Sequence, residues 1–444
     1  MFANNISQSI IAGLLMFGLA GFFGAPALAP SAAPDGRLVV HEWGTFTSVA
    51  GENGAAIEWQ ALSRTSDLPG FIYPESSVIN GRRLTTEKNL RAQVRMETPV
   101  IYFYTDRETE VSLKVCFPKG HVTEWYPFAR RSGEWYAFAP GDVVKPCDPP
   151  SSTVGERQGD SLDWGRFSVL PGAAMSLPVS ENDSHYYPAR ETDAALVCVN
   201  GPKGQEYEKF LFYRGVGWFD LPLWARVADG KIHLRNLGPE PIQQVILFEN
   251  RAGKSGYQLY GPLTGEAELD RPALAESSES LRRDLEEVLI QHGLYEKEAQ
   301  AMVKTWLDQW FEEGLRVFYI LPRQRTDEIL PLTISPQPQE IVRVIVGRTE
   351  LITTEMEQAV REQAAALEKE ADAQATVQMG LIPWSRVSQP LEKEADAQAT
   401  VQTLARQYGR FLEPILRRAL GNTRDEKLKA RLECLIAIAR RAAE

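Results

Sequence analysis

The chain has 444 residues, 43% hydrophobic and 24% charged, with 48 Lys and Arg against 59 Asp and Glu for a formal net charge of −11. That acidity excludes a general nucleic-acid binder, which needs a basic face to neutralise phosphates. The length exceeds one core, so about two or three domains are expected.

Residues 1–33 differ in character from the rest of the chain. "IIAGLLMFGLAGFFGAPALA" is uncharged and apolar, and the "PSAAP" after it suits a signal peptidase. Pro26 interrupts the run before it is long enough to span a bilayer. A secretory signal and a periplasmic or secreted protein are expected, with no membrane span after cleavage; an uncleaved N-terminal anchor is the alternative. Export permits disulfides, but Cys116, Cys147, Cys198 and Cys434 are too few for a disulfide framework. Cys116, Cys198 and Cys434 lie in strand- or helix-like runs and read as small core residues, with a Cys116–Cys147 bridge left open.

Residues 36–270 carry strand after strand, broken by Gly, Pro, Asn and Asp: "PVIYFYT", "TEVSLKVCF", "EKFLFYRGV", "KIHLRNL" and "PIQQVILFEN". Short Val/Ile/Phe/Tyr-rich runs at this spacing predict an antiparallel β-rich, sandwich-like domain. Over 271–352 the period changes. Leu281, Leu285, Val288 and Leu289 mark one helical face, and Ala299, Met302, Val303, Trp306 and Trp310 a second. Two strands, "LRVFYILP" and "EIVRVIVG", come next, linked by the Pro-rich "LPLTISPQPQ". This α/β layer is either a separate domain or a flap completing the sandwich.

Residues 353–444 are helical. Thr354 and Glu357 have the spacing of a capping box. "LEKEADAQATVQ" occurs at 367–378 and again at 391–402, around a "MGLIPWSRVSQP" that cannot be helical throughout. Deleting 379–402 would restore one amphipathic helix, so we read a tandem duplication, or a sequence-assembly slip, without a function of its own. The whole predicts an α+β protein: β-sandwich-like region, α/β layer and helical C-terminal region.

The chemical candidates are scattered. In "HEWGTF", His41 and Glu42 are adjacent and so point to opposite faces of a strand. Only a bulge, which Gly44 could allow, would bring both to one ion. The plain reading has His41 and Trp43 sharing a face and Glu42 paired with an arginine. Glu97, before Thr98-Pro99, reads as an edge-blocking charge or a group in a cleft. In "SHYYPARETDA", an extended backbone would put Glu191 and Asp193 on one face near His185, suiting a divalent metal or acid/base work. The opposing reading pairs these acids with Arg190, Arg214, Arg323 or Arg348. The aromatic clusters around Tyr73, Trp125, Tyr126, Tyr186 and Tyr187 either fill the core or, with Trp43 and Arg190, stack a ligand such as a sugar ring. "AGKSG" lacks the first glycine of a phosphate loop, and no GxSxG elbow is present.

Taken together, "HEWGTFTSV", "METPVIYFYT", "TEWYP", "ARETDA", "KFLFYRGVG", "YEKEAQAMVKTW", "EGLRVFYILPR" and "RVIVGRTEL" resemble an uncharacterised family of exported bacterial proteins over about residues 38–352. The resemblance implies a bacterial, exported protein of one architecture, and no activity, cofactor or catalytic residue. Two functions are expected from the residues themselves. One is a non-catalytic envelope protein binding a glycan or protein partner. The other is a metal-assisted hydrolase drawing on His41, Glu97, His185, Glu191 and Asp193.

Overall fold

The computed structural model of the chain describes residues 36–62, 68–79, 82–85, 90–132, 159–181, 184–275, 279–378 and 389–442. The expected signal segment, Cys147 and most of the linker between the duplicated copies lie outside them.

The strand Val39–Ala50 is buried along its whole length. Glu340–Leu351 runs parallel on one side of it and Val94–Tyr104 antiparallel on the other. A strand covered on both faces needs no strict alternation of apolar and polar residues, which is why "VVHEWGTFTSVA" shows none. It is the middle of a nine-stranded sheet. From one edge the order is Lys254–Tyr260, Val245–Arg251, Gly314–Ile320, Glu340–Leu351, Val39–Ala50, Val94–Tyr104, Leu211–Gly217, Gly120–Tyr126 and Tyr73–Pro74. The strands of 271–352 therefore complete the sheet that the N-terminal region begins.

The ladder between Val39–Ala50 and Val94–Tyr104 slips between Trp43 and Thr45. Pro99 explains the slip: it has no N–H to give the ladder, and a Cβ on Gly44 would stand 2.9 Å from its Cα. The bulge comes after His41 and Glu42, so it leaves them on opposite faces.

A second sheet orders Gly204–Glu208, Leu196–Gly201, Asp160–Leu170, Thr109–Phe117 and Leu332–Ser335, with Arg130–Ser132 beside Asp160–Leu170. Phe46, Ile101 and Ile345 from the first sheet and Leu113, Leu162 and Val197 from the second share one core. The short Leu332–Ser335 strand lies inside the Pro-rich linker, where flanking Pro331 and Pro336 hide it from the hydrophobic pattern. "AGKSG" is a hairpin turn: Ala252 and Gly253 take φ of 53° and 76° between paired strands, as a two-residue primed turn requires.

The other face of the nine-stranded sheet is covered by the helices Glu279–Gln291 and Glu296–Thr305. Leu281, Leu285, Met302, Trp306 and Trp310 pack there against Trp43, Val344 and Phe318, so the stripes read from the sequence are the buried faces. Helices Thr354–Gln378, Gln389–Tyr408, Leu412–Gly421 and Glu426–Ala442 build a third core with Val49, Trp59 and Ile352. The first is capped one residue earlier than its sequence indicates, since the Thr353 hydroxyl accepts the Met356 N–H at 3.3 Å. Ala397 and Val401 of the second duplicated copy lie in this core beside Val360 and Ala364. Cys198 is buried, but Cys434 is exposed on its helix and is not a core residue. No helix among the described residues is long and apolar enough to cross a membrane.

Candidate functional site

The strand Val39–Ala50 sends His41 toward the helices and Glu42 toward the sandwich core. His41 Nδ1 lies 2.7 Å from Glu298 on the facing helix. The Tyr104 hydroxyl donates to the other Glu298 oxygen at 2.8 Å, and the Tyr295 N–H donates to the first, also at 2.8 Å. A carboxylate that fixes an imidazole is a common element of catalytic and metal sites. Here both side chains are fully buried, so the pair ties strand to helix. Glu42 is bound by the Tyr213 hydroxyl and Arg343, and Arg343 reaches Asp327 at 2.7 Å. The expected Glu42–arginine pair is thus with Arg343.

Glu97 is not an edge charge. Its strand is interior, and its carboxylate is buried against Arg410 and, at 3.5 Å, Arg95. Burial alone would raise its pKa, but the Arg410, Arg95 and Arg348 charges overcome this and hold it below the ordinary value.

"SHYYPARETDA" is not extended. Tyr187–Arg190 forms a 3-10 turn, and the segment then lies along the helix Glu296–Thr305. Glu191 and Asp193 are exposed, and each takes a lysine of that helix at 2.6 Å, Lys304 and Lys297. The arginines expected as their partners are engaged elsewhere: Arg190 with Glu208, Arg214 with Glu124, Arg323 with Asp327 and Arg348 with Glu312 and Glu350. His185 Nε2 meets Asp308 at 2.9 Å and its ring stacks near Trp306. His185, Glu191 and Asp193 therefore do not converge, and no group of three His, Cys, Asp or Glu among the described residues could hold a metal ion.

Nor do the aromatic candidates form a surface. Trp43, Trp125, Tyr126 and Tyr186 are all buried. Tyr186 and Tyr187 pack around the Arg190 guanidinium at 5.5 and 5.1 Å, and the Tyr186 hydroxyl donates to Glu208 at 2.9 Å. The expected stacking platform is filled by the protein's own arginine and core.

A different aromatic faces outward. Leu223–Ala228, Lys231–Asn236 and Glu266–Asp270 form a three-stranded sheet. Alternation puts Leu223, Ala225, Ile232, Leu234 and Leu269 into the sandwich core, so the intervening residues face solvent. They stand in rungs: Trp224 opposite Arg235 opposite Glu266, then Arg226 opposite His233 opposite Glu268. These six line a shallow depression of about 260 Å³. The Arg235 and Arg226 guanidinium carbons are 5.3 and 6.0 Å from the indole centre. The indole N–H donates to the Asn53 carbonyl at 2.7 Å. Its edge rests on Gly54, where a Cβ would stand 2.2 Å from Trp224 Cε2. The loop leaving the "HEWGTF" strand thus braces Trp224 in one orientation. A hydrogen bond from Lys231 holds Glu268 below the ordinary carboxylate value, with His233 adding to it. Glu268 is therefore an acceptor at neutral pH and not a poised general acid.

Along the same strands, Pro222 and Leu237 follow Trp224 and Arg235 at two-residue spacing and so share their face. They line a second cleft of about 370 Å³ with Leu221, Pro239 and Pro322 and with the polar Asp220, Glu240, Gln324, Arg325 and Glu328. The sequence contains part of the signal for this surface, because "KIHLRN" and "EAELD" alternate polar with apolar residues. What it lacks is the pairing that lines up their outward residues.

No family model matches the chain, and no curated protein matches it.

Proposed function

We propose that the chain is an exported bacterial envelope protein without catalytic activity of its own, which binds an envelope glycan across the Trp224 face. The observation that carries this reading is the braced indole flanked by Arg226, Arg235, His233, Glu266 and Glu268. A flat apolar ring suits the C–H face of a sugar, which would take the place over the indole that the Arg235 guanidinium holds at 5.3 Å, and the surrounding planar donors and acceptors suit its hydroxyls. The depression is a little smaller than the roughly 300–1,000 Å³ of enclosed small-molecule sites. With the Pro222–Leu237 cleft further along the same strands, it fits one ring of a longer chain better than a free small molecule. Export rests on the apolar leader read in the sequence.

The test is co-sedimentation with insoluble peptidoglycan, chitin and cellulose, with competition by soluble oligosaccharides of each. Retention by one of them, competed by its own oligosaccharide and lost in Trp224→Ala, supports the reading. Retention by none, or equal retention of wild type and Trp224→Ala, contradicts it.

A further inference from the structure

The three-stranded sheet under the Trp224 face sorts its outward charges by strand. Glu266, Glu268 and Asp270 stand on one edge strand, Glu266–Asp270, and Lys231, His233 and Arg235 on the middle strand, Lys231–Asn236. Trp224 and Arg226 stand on the other edge strand, Leu223–Ala228. The register matches the first two columns rung by rung: Arg235 with Glu266, His233 with Glu268 and Lys231 with Asp270. The charges pair accordingly. Lys231 lies 2.8 Å from Glu268 and 3.7 Å from Asp270, Arg235 3.7 Å from Glu266, and His233 3.8 Å from Glu268.

Arg226 is left out of this pairing. It stands opposite His233, so the whole middle strand separates it from the acidic column, and two strand spacings are about 9.5 Å. Among the described residues no carboxylate lies within ion-pair distance of it; its one polar contact is with the Trp224 ring, whose centre is 6.0 Å from the guanidinium carbon. The side chain is exposed and lines the same depression as the indole. Arg226, Lys231 and Arg235 balance Glu266, Glu268 and Asp270 over the face as a whole. Separation of charge, not excess, therefore makes the site: an unmatched guanidinium beside the braced indole, with the acids gathered at the far edge.

We propose that the glycan on this face is an acidic one, in which a sugar of the uronic-acid class stacks on Trp224 and its carboxylate is held by Arg226. The inference rests on the glycan reading above and names its substrate class. When the ring takes the place of Arg235 over the indole, Arg235 keeps Glu266 as its partner and Arg226 remains for the ligand. A carboxylate carried directly on the ring reaches a guanidinium beside the indole while the C–H face stays on it, and the guanidinium fork matches two carboxylate oxygens. A single charge suits the face best. A phosphomonoester, with about −1.5 to −2 at neutral pH, would add repulsion from Glu266 and Glu268 without a second unmatched cation to receive it.

The experiment is calorimetric titration of wild type, Arg226→Gln and Trp224→Ala with galacturonate and mannuronate hexamers, each as the free acid and as the methyl ester. Cellohexaose and its sulfate ester are the neutral and sulfated controls. Wild type should bind one of the acids more tightly than its own ester by about tenfold or more, and added salt should narrow the gap. Arg226→Gln, a change at an exposed position, should bring that acid down to the affinity of the ester, while Trp224→Ala weakens both. Equal affinity for acid and ester in wild type overturns the proposal; with both weakened in Trp224→Ala, it leaves the glycan reading standing. An acid preference that survives in Arg226→Gln overturns it as well, and so does tighter binding of the sulfate than of either acid. Binding of neither uronate overturns it too, and retention of wild type by peptidoglycan, chitin or cellulose then decides whether the glycan reading falls with it.

Discussion

His41 Nδ1 sits 2.7 Å from a carboxylate oxygen of Glu298, and neither side chain reaches solvent. The two are 257 positions apart, one on the central strand and one on the helix that covers it. Glu298 also accepts from Tyr104 and from the Tyr295 N–H, so its removal strands several buried polar groups at once. Glu298→Ala should cost about 3–5 kcal/mol, read as a lower urea midpoint. The Glu298→Ala, His41→Leu double variant should recover part of that loss, because it no longer buries an unpaired imidazole.

Gly44 and Pro99 make a steric prediction. Gly44→Ala drives a methyl to 2.9 Å from the Pro99 backbone, in the middle of the sheet, where neither strand can move alone. The expected cost is about 1–3 kcal/mol. Ser48→Ala on the same strand removes only a side-chain hydroxyl contact at 3.2 Å and should cost less. Thermal unfolding of the two variants side by side checks this; equal effects would count against the bulge.

His121 supplies a pH dependence. It is buried, yet hydrogen bonds and charges from Asp160 and Glu75 overcome the desolvation and raise its pKa above the ordinary value. Its nitrogens meet those carboxylates at 2.9 and 2.6 Å, with Arg131 bridging the same pair. A raised folded-state pKa means the stabilisation is fully present below about pH 6.5, the unfolded value, and is lost as pH rises through the folded value. Urea midpoints should therefore fall from pH 6 toward pH 9, and His121→Gln should flatten that slope.

The metal-hydrolase reading makes its own prediction. His185, Glu191 and Asp193 are partly or largely exposed and separately paired with Asp308, Lys304 and Lys297, and exposed pairs contribute about 0–1 kcal/mol. His185→Ala should leave stability within about 0.5 kcal/mol of wild type. Zinc, calcium and manganese should leave Tm unchanged in both proteins. A metal-dependent rise in Tm that His185→Ala abolishes would reinstate that site.

Much of the architecture is legible in the sequence because it rests on local period. The Leu281–Leu289 and Met302–Trp310 stripes and the strands around "PVIYFYT" and "PIQQVILFEN" follow from side-chain spacing alone, as does the split of His41 from Glu42. What depends on long-range pairing is not legible. Glu97 reads as an edge charge only while its strand has no neighbours, and the Glu191 and Asp193 lysines lie on a helix over a hundred positions away. Trp224 is inconspicuous for a related reason. Aromatic–proline clusters such as "EWYPF" attract attention in a sequence, but in the fold they fill the core. Trp224, isolated in an alternating strand, faces out instead.

Glycan binding at the Trp224 face is tested most directly by calorimetric titration of wild type, Trp224→Ala and Trp125→Phe with an oligosaccharide of whichever glycan retains the wild-type protein. Binding there predicts at least tenfold weaker affinity for Trp224→Ala, about 1.4 kcal/mol or more, and unchanged affinity for Trp125→Phe, whose ring lies in the core. Full affinity in Trp224→Ala would contradict it.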